Sequence, residues 1–377
     1  MEVEQVRWTQ ADGWGPHAPG RMSGAPQCVL AFGDEALLRD AAARADLRRA
    51  YPAARILGCT TAGEIGDTRV TEGTLVATAV RFEHARVESA LVAVGSDSRE
   101  TGRRLAAMLP PDRLRHAFVL VDGLEVDGTA FAHGLRAGLP SHVAVTGGLA
   151  GDGLRFERTA VLLDEQVGPG TAAIVGFYGD RLAVGHGCMG GWGAFGPERL
   201  ITRSSGRVLQ EVDGRPALAL YRKYLGEQAG GLPQSGLAFP LVLRMPDGAQ
   251  GVARTVLDID EEAQSVTFAG DVPEGAYARL MMAGHERLLE GACGAAREAL
   301  AGLGAQPPEL ALLGSCAGRK MVLGERVEDE IEDVREALGA RPVLAGFYSY
   351  GEIAPLATGA GLEMQNQTLA VTTFAER

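Results

Sequence analysis

The apolar residues of this chain fall into short continuous runs bounded by glycine, the pattern of strands buried on both faces. Cys28 to Gly33 is the first such run. A helix-period pattern follows over Glu35 to Ala50, apolar at Leu37, Leu38, Ala41 and Ala42. Tyr51-Pro52 stops it, because proline lacks an N–H and disfavours helix at the residue before it. A second strand, Arg55-Ile56-Leu57, runs into Gly58-Cys59-Thr60-Thr61-Ala62-Gly63-Glu64, and a third covers Thr74 to Phe82.

The same order recurs twice, and a repeated unit outweighs any single motif. In the second copy Ala117 to Asp122, a helix around Ala130 to Ala137 and Val143-Ala144-Val145 lead into Thr146-Gly147-Gly148-Leu149-Ala150-Gly151-Asp152; Ala172 to Tyr178 closes it. In the third, Leu310 to Leu313, a helix over Val327 to Leu338 and Pro342-Val343-Leu344-Ala345 lead into Gly346-Phe347-Tyr348-Ser349-Tyr350-Gly351-Glu352; Thr368 to Phe374 closes it. The closing strand follows its turn too closely for a helical crossover, so it is expected antiparallel to its neighbour. The expected fold class is α/β of the mixed, α+β kind. Mixed sheets covered by helices are built from repeated strand-helix-strand-turn-strand units.

Between the second and third copies, Leu182 to Trp192 reads as a strand, Leu200 to Val212 as a strand pair, Pro216 to Leu225 as a helix, and a further helix is expected from about Tyr277, carrying His285. Three segments are expected: a loose tail over 1–24, rich in glycine and proline; an N-terminal domain over 25–213; and a C-terminal domain over 214–377, the join marked by Asp213-Gly214.

Composition narrows the function. The 377 residues are 46% hydrophobic, with 52 glycines lacking collagen periodicity, so a large core with many tight strand ends is expected. The net charge of −12 opposes nucleic acid and anionic lipid as partners. No apolar run approaches the roughly 20 residues of a membrane span, so membrane insertion is not expected. The start, Met1-Glu2-Val3-Glu4-Gln5, has no secretory pattern and points to the cytoplasm. Five cysteines without a CxxC pair make a disulfide framework or structural zinc site a poor reading.

The candidate chemistry gathers at the turns. Glu352 follows Tyr348, Ser349 and Tyr350, and alternation puts the two tyrosines on one face and Ser349 on the other. Tyrosines offer flat apolar surface with a hydroxyl handle, and a carboxylate beside them suits an ammonium group. Arg319, just after a buried strand, can grip a carboxylate bidentately. With Glu352 or Glu64 it would make a zwitterion site; the competing reading is a structural pair with one of these acids. Cys316 is a weak nucleophile candidate, since no histidine lies near it in sequence. His186 and His285 are weak haem-ligand candidates without a CxxCH attachment. No P-loop is present: the glycine-rich Gly147 to Gly151 lacks the lysine.

These motifs resemble the FIST family, whose members carry paired N-terminal and C-terminal FIST regions. The matching segments are Gly58 to Ile65, Gly147 to Asp152, Glu211 to Leu218, Ser315 to Arg319, Gly346 to Pro355 and Asn366-Gln367-Thr368. Gln365 departs from the family, where histidine often precedes the asparagine. The resemblance implies a sensory protein in signal transduction that binds a small polar, amino-acid-like metabolite and acts on a separate output protein. It brings Thr60, Thr61 and Asn366 in as binding candidates beside Glu352, Tyr348, Tyr350, Ser349, Arg319 and Glu64. For some relatives it implies haem-based nitric oxide sensing. An enzyme using Cys316 or the Glu64 and Glu352 carboxylates is the alternative from another class.

Overall fold

The computed structural model describes residues 1–244, 252–282, 284–355 and 361–377. Each repeat is a parallel pair of strands joined by helix, with a third strand antiparallel to the first: Cys28–Gly33, Arg55–Thr60 and Leu75–Arg81; Leu114–Val121, Ala144–Leu149 and Thr171–Tyr178; Leu310–Cys316, Val343–Ser349 and Leu369–Glu376. This is the mixed α/β arrangement expected. The third strand returns antiparallel because its connection is folded as a β-hairpin and not as a crossover helix.

The connection itself is a small hairpin, and here the units exchange parts. The hairpin Glu64–Gly66 and Arg69–Thr71 of the first unit joins the sheet of the third. The hairpin Val161–Leu163 and Gln166–Gly168 of the second joins the first. The hairpin Glu352–Pro355 and Leu362–Gln365 of the third joins the second. The exchange closes a ring of three sheets. Each sheet gains edge strands from another unit, which covers backbone groups that would otherwise invite aggregation.

Glycine makes the ring possible at one recurring position. A β-carbon on Gly58, Gly147 or Gly346 would collide with the backbone carbonyl of Ala31, Val119 or Leu313 on the parallel neighbour. In the turns beyond, only Gly63 of the three glycines holds a positive φ, 146°. At Gly351 and Gly151 the constraint is space: an added β-carbon would lie 2.9 Å from the Met364 sulfur and 3.0 Å from the Ala62 nitrogen.

Several expectations need correction. The start is not a loose tail: Glu2–Thr9 is a strand paired antiparallel with Leu75–Arg81. Its alternation was masked because an acid, Glu4, occupies an inward position, where it accepts from Tyr51 Oη at 2.8 Å and from the backbone of Arg21. The helix read as Glu35 to Ala50 breaks at Asp40, whose carboxylate caps a new helix, Ala41–Ala50. Tyr277–Met282 is a strand, and the helix begins at His285. A further strand, Arg86–Ala93, and helix, Ser98–Ala107, escaped notice.

A fourth sheet is inserted into the third unit, between its outer strand Leu182–Met189 and the helix His285–Gly302. It has its own core, with Tyr221, Phe268 and Leu243 fully buried. A join at residue 214 lies within this sheet, where Val208–Val212 pairs with Arg215–Pro216. The sequence regions before and after that join share cores through the exchanged hairpins.

Candidate functional site

The two glutamates of the repeated turns do the same structural job. Glu64 accepts from Thr61 Oγ1 at 2.7 Å and from Thr74 through its hydroxyl at 2.8 Å and its N–H at 3.3 Å. Glu352 accepts from Ser349 Oγ at 2.6 Å and from Thr368 at 2.7 and 3.2 Å. Each acid thus clasps the end of one strand to the start of the next while its hairpin crosses to a neighbouring sheet. Burial raises both acids above the usual carboxylate range, Glu64 to about 7 and Glu352 to about 8, although the hydroxyl donors pull the other way. Asp34 adds to the rise at Glu64; Arg319 opposes it at Glu352. Asp152 differs: it accepts from the backbone N–H of Phe156, Glu157 and Arg158 and from Tyr350 Oη. Burial opposes its charge, but these donors outweigh it and hold the carboxyl below the usual range.

Arg319 is committed elsewhere. Fully buried, it pairs through Nε with Glu330 at 2.7 Å and donates to the carbonyls of Leu288 and Gly190. Glu330 also accepts from Ser315 Oγ and Tyr348 Oη, both at 2.9 Å. The zwitterion grip of Arg319 with Glu352 or Glu64 is therefore not assembled: the guanidinium faces a partner eleven positions along the chain. Tyr348 and Tyr350 also part company. Tyr348 is sealed in the core, and Tyr350 stacks on Phe156 with centroids 4.4 Å apart. Thr60 ties the 150–160 loop to the first unit, its Oγ1 accepting from Ala160 N at 3.0 Å.

A cavity of about 340 Å³ opens beside the third turn. One wall is the body: Cys316, Ser349, Tyr350 and Asn366. A second is the 150–160 loop, through Leu154 and Phe156; a third is the inserted sheet and the turns around it, with Leu237, Thr255 and Val256. Of the sequence candidates the fold brings together Ser349, Tyr350, Asn366 and Cys316. Glu352 lies directly beneath, bonded to Ser349 but not lining the space. Glu64, Thr60, Thr61, Tyr348 and Arg319 do not line it either. The loop and insert residues were missed, although Leu154 and Phe156 stand out as large apolar residues among charged neighbours.

The cavity walls are mainly apolar, and no charged side chain lines them among the described residues. Leu154 at 50%, Phe156 at 48% and Met321 at 38% remain exposed at its rim. Burial and the nearby charge of Glu352 push the Cys316 thiol up to about 12, against the opposing backbone N–H of Gln367, Gly318 and Arg319. At neutral pH it is a thiol and a poor nucleophile. His186 sits half-buried on an outer strand, burial lowering its pKa, and exposed His285 contacts the Val322 carbonyl at 2.8 Å. Neither lines the cavity, so a histidine-ligated haem does not fit there.

No described helix is long and apolar enough to cross a membrane. Comparison with curated proteins gives no match. Among solved structures the chain is similar to a cyanuric acid hydrolase from A. caulinodans, at 10% identity and a TM-score of 0.38, with 100% of this chain and 99% of that one covered. The family model of the FIST N domain matches residues 27–215, and that of the FIST C domain matches 217–355. With both models spanning most of its length, the chain belongs to the FIST family of sensory domains.

Proposed function

We propose that this protein is a sensor whose small-molecule ligand occupies the cavity beside Ser349 and Asn366, and whose ligand-bound state is read by a signalling partner. One observation carries this reading: the cavity lies where three independently built pieces meet, namely the strand ends of the third unit, the 150–160 loop of the second, and the inserted sheet. A ligand touching all three favours one arrangement of them over others, which is the thermodynamic requirement of a sensor.

The amino-acid-like ligand that the family resemblance implies needs partners for an ammonium and a carboxylate. Burying either charge unpaired is costly, and among the described residues the lining offers neither partner. The ligand proposed is therefore small and of low charge. A catalytic role for Cys316 is weakly supported, since its thiol is held protonated and no histidine lines the space.

Thermal-shift screening of small metabolites tests the site. A ligand at a hundred times its Kd stabilises the fold by about 2.7 kcal/mol. Ala269→Phe, which places a ring into the cavity wall, should abolish that shift. A shift surviving in Ala269→Phe would place the ligand elsewhere.

A further inference from the structure

We propose that the cavity selects an uncharged, planar ligand that donates a hydrogen bond to Asn366, an aromatic N–H compound being the simplest member of that class. This rests on the cavity being the ligand site.

Two buried polar atoms in its lining have no partner among the described residues. Asn366 is 1% exposed; its Nδ2 rests on the Met364 sulfur at 3.6 Å, a contact that favours this orientation of the amide, and its Oδ1 has no donor among the described residues. Thr255, 4% exposed, has an unpartnered Oγ1. Buried polar groups in native proteins are nearly always paired, and an orphan signals a strained or functional site. The two stand on different walls, Asn366 on the body and Thr255 in the inserted part. Both atoms are buried, so a ligand reaches them only with a small rearrangement of the cavity wall.

The preference for a flat, uncharged body has separate support. Phe156 holds a φ of 55°, a left-handed conformation that is costly for a bulky side chain, yet its ring is half exposed. Core packing therefore does not account for the strain. The strain places an aromatic ring on the cavity wall, stacked at 16° on Tyr350. Aromatic walls favour planar ligands by offset stacking, and the absence of lining charge disfavours ions.

The test compares indole, benzofuran and L-tryptophan with the full-length protein, by calorimetry and by amide chemical shifts of residues 154, 156, 318 and 366. Benzofuran keeps the shape of indole but replaces the N–H by an oxygen; tryptophan adds a zwitterion. Indole should bind about tenfold more tightly than benzofuran, and Asn366→Leu should bring the two to parity. Equal binding of indole and benzofuran to the native protein overturns the proposal without needing any variant to fold. Tighter binding of L-tryptophan than of indole overturns the uncharged class while leaving the cavity as the ligand site. If none of the three perturbs the cavity amides, the cavity assignment falls with it.

Discussion

The turns at Glu64 and Glu352 share a clasp and differ in what lies over it. Above the first, Lys320 of the third unit donates to the Ala62 carbonyl at 2.6 Å and pairs with Glu72, and a β-carbon on Gly63 would come within 2.8 Å of its ammonium. That turn is plugged. Over the third turn the inserted sheet stands across an open space lined by Ser349, Tyr350 and Asn366. A shared motif thus serves the fold, because each glutamate secures the chain where its hairpin leaves for another sheet. The proposed ligand site lies at the copy whose surroundings leave room for one.

The largest blow to this picture should come from Glu330→Gln. It leaves Arg319 buried without a counter-charge, and loss of one partner of a buried pair costs about 3–5 kcal/mol. Chemical denaturation measures it; a loss under 1 kcal/mol would mean that Arg319 is free to serve a ligand. Next, Thr61→Ala and Ser349→Ala each remove one donor from a clasp and should each lower stability by about 1–2 kcal/mol. Only Ser349→Ala should also change ligand affinity, and an equal change from Thr61→Ala would dissolve the distinction between the turns.

The smallest effect is a pH signature. Both glutamates have folded-state pKa values raised above the ordinary value of about 4.3, so each favours the fold fully below that pH. The advantage is lost as pH rises, up to about 7 for Glu64 and about 8 for Glu352. Stability should therefore still fall between pH 7 and 8 in the native chain and in Glu64→Gln, but flatten there in Glu352→Gln. Denaturation midpoints at closely spaced pH values separate the three curves.

Much of this was legible locally. The apolar runs located most of the body strands, and the turn signals after each second strand pointed to an antiparallel return. Glu2–Thr9 was hidden because buried Glu4 interrupts the alternation that marks a half-buried strand. Arg319 pointed to an anion, yet nothing in a linear reading separated a ligand from Glu330, which a short helical segment and turn carry back under the strand end. Phe156 lies in the 150–160 loop and Thr255 between two strands of the insert, far apart in the chain, so no motif joins them.

The sequence by itself determined the three units, their strand order and the glycines that let neighbouring backbones approach, because hydrophobic period, turn chemistry and β-carbon clashes act over a few residues. The tertiary structure decided which acid clasps which strand, that Arg319 is spent on Glu330, and that the third turn borders the cavity proposed as the ligand site. Those outcomes depend on the exchange of hairpins around the ring and on where the inserted sheet comes to rest. Both set burial and pairing between residues that are remote along the chain.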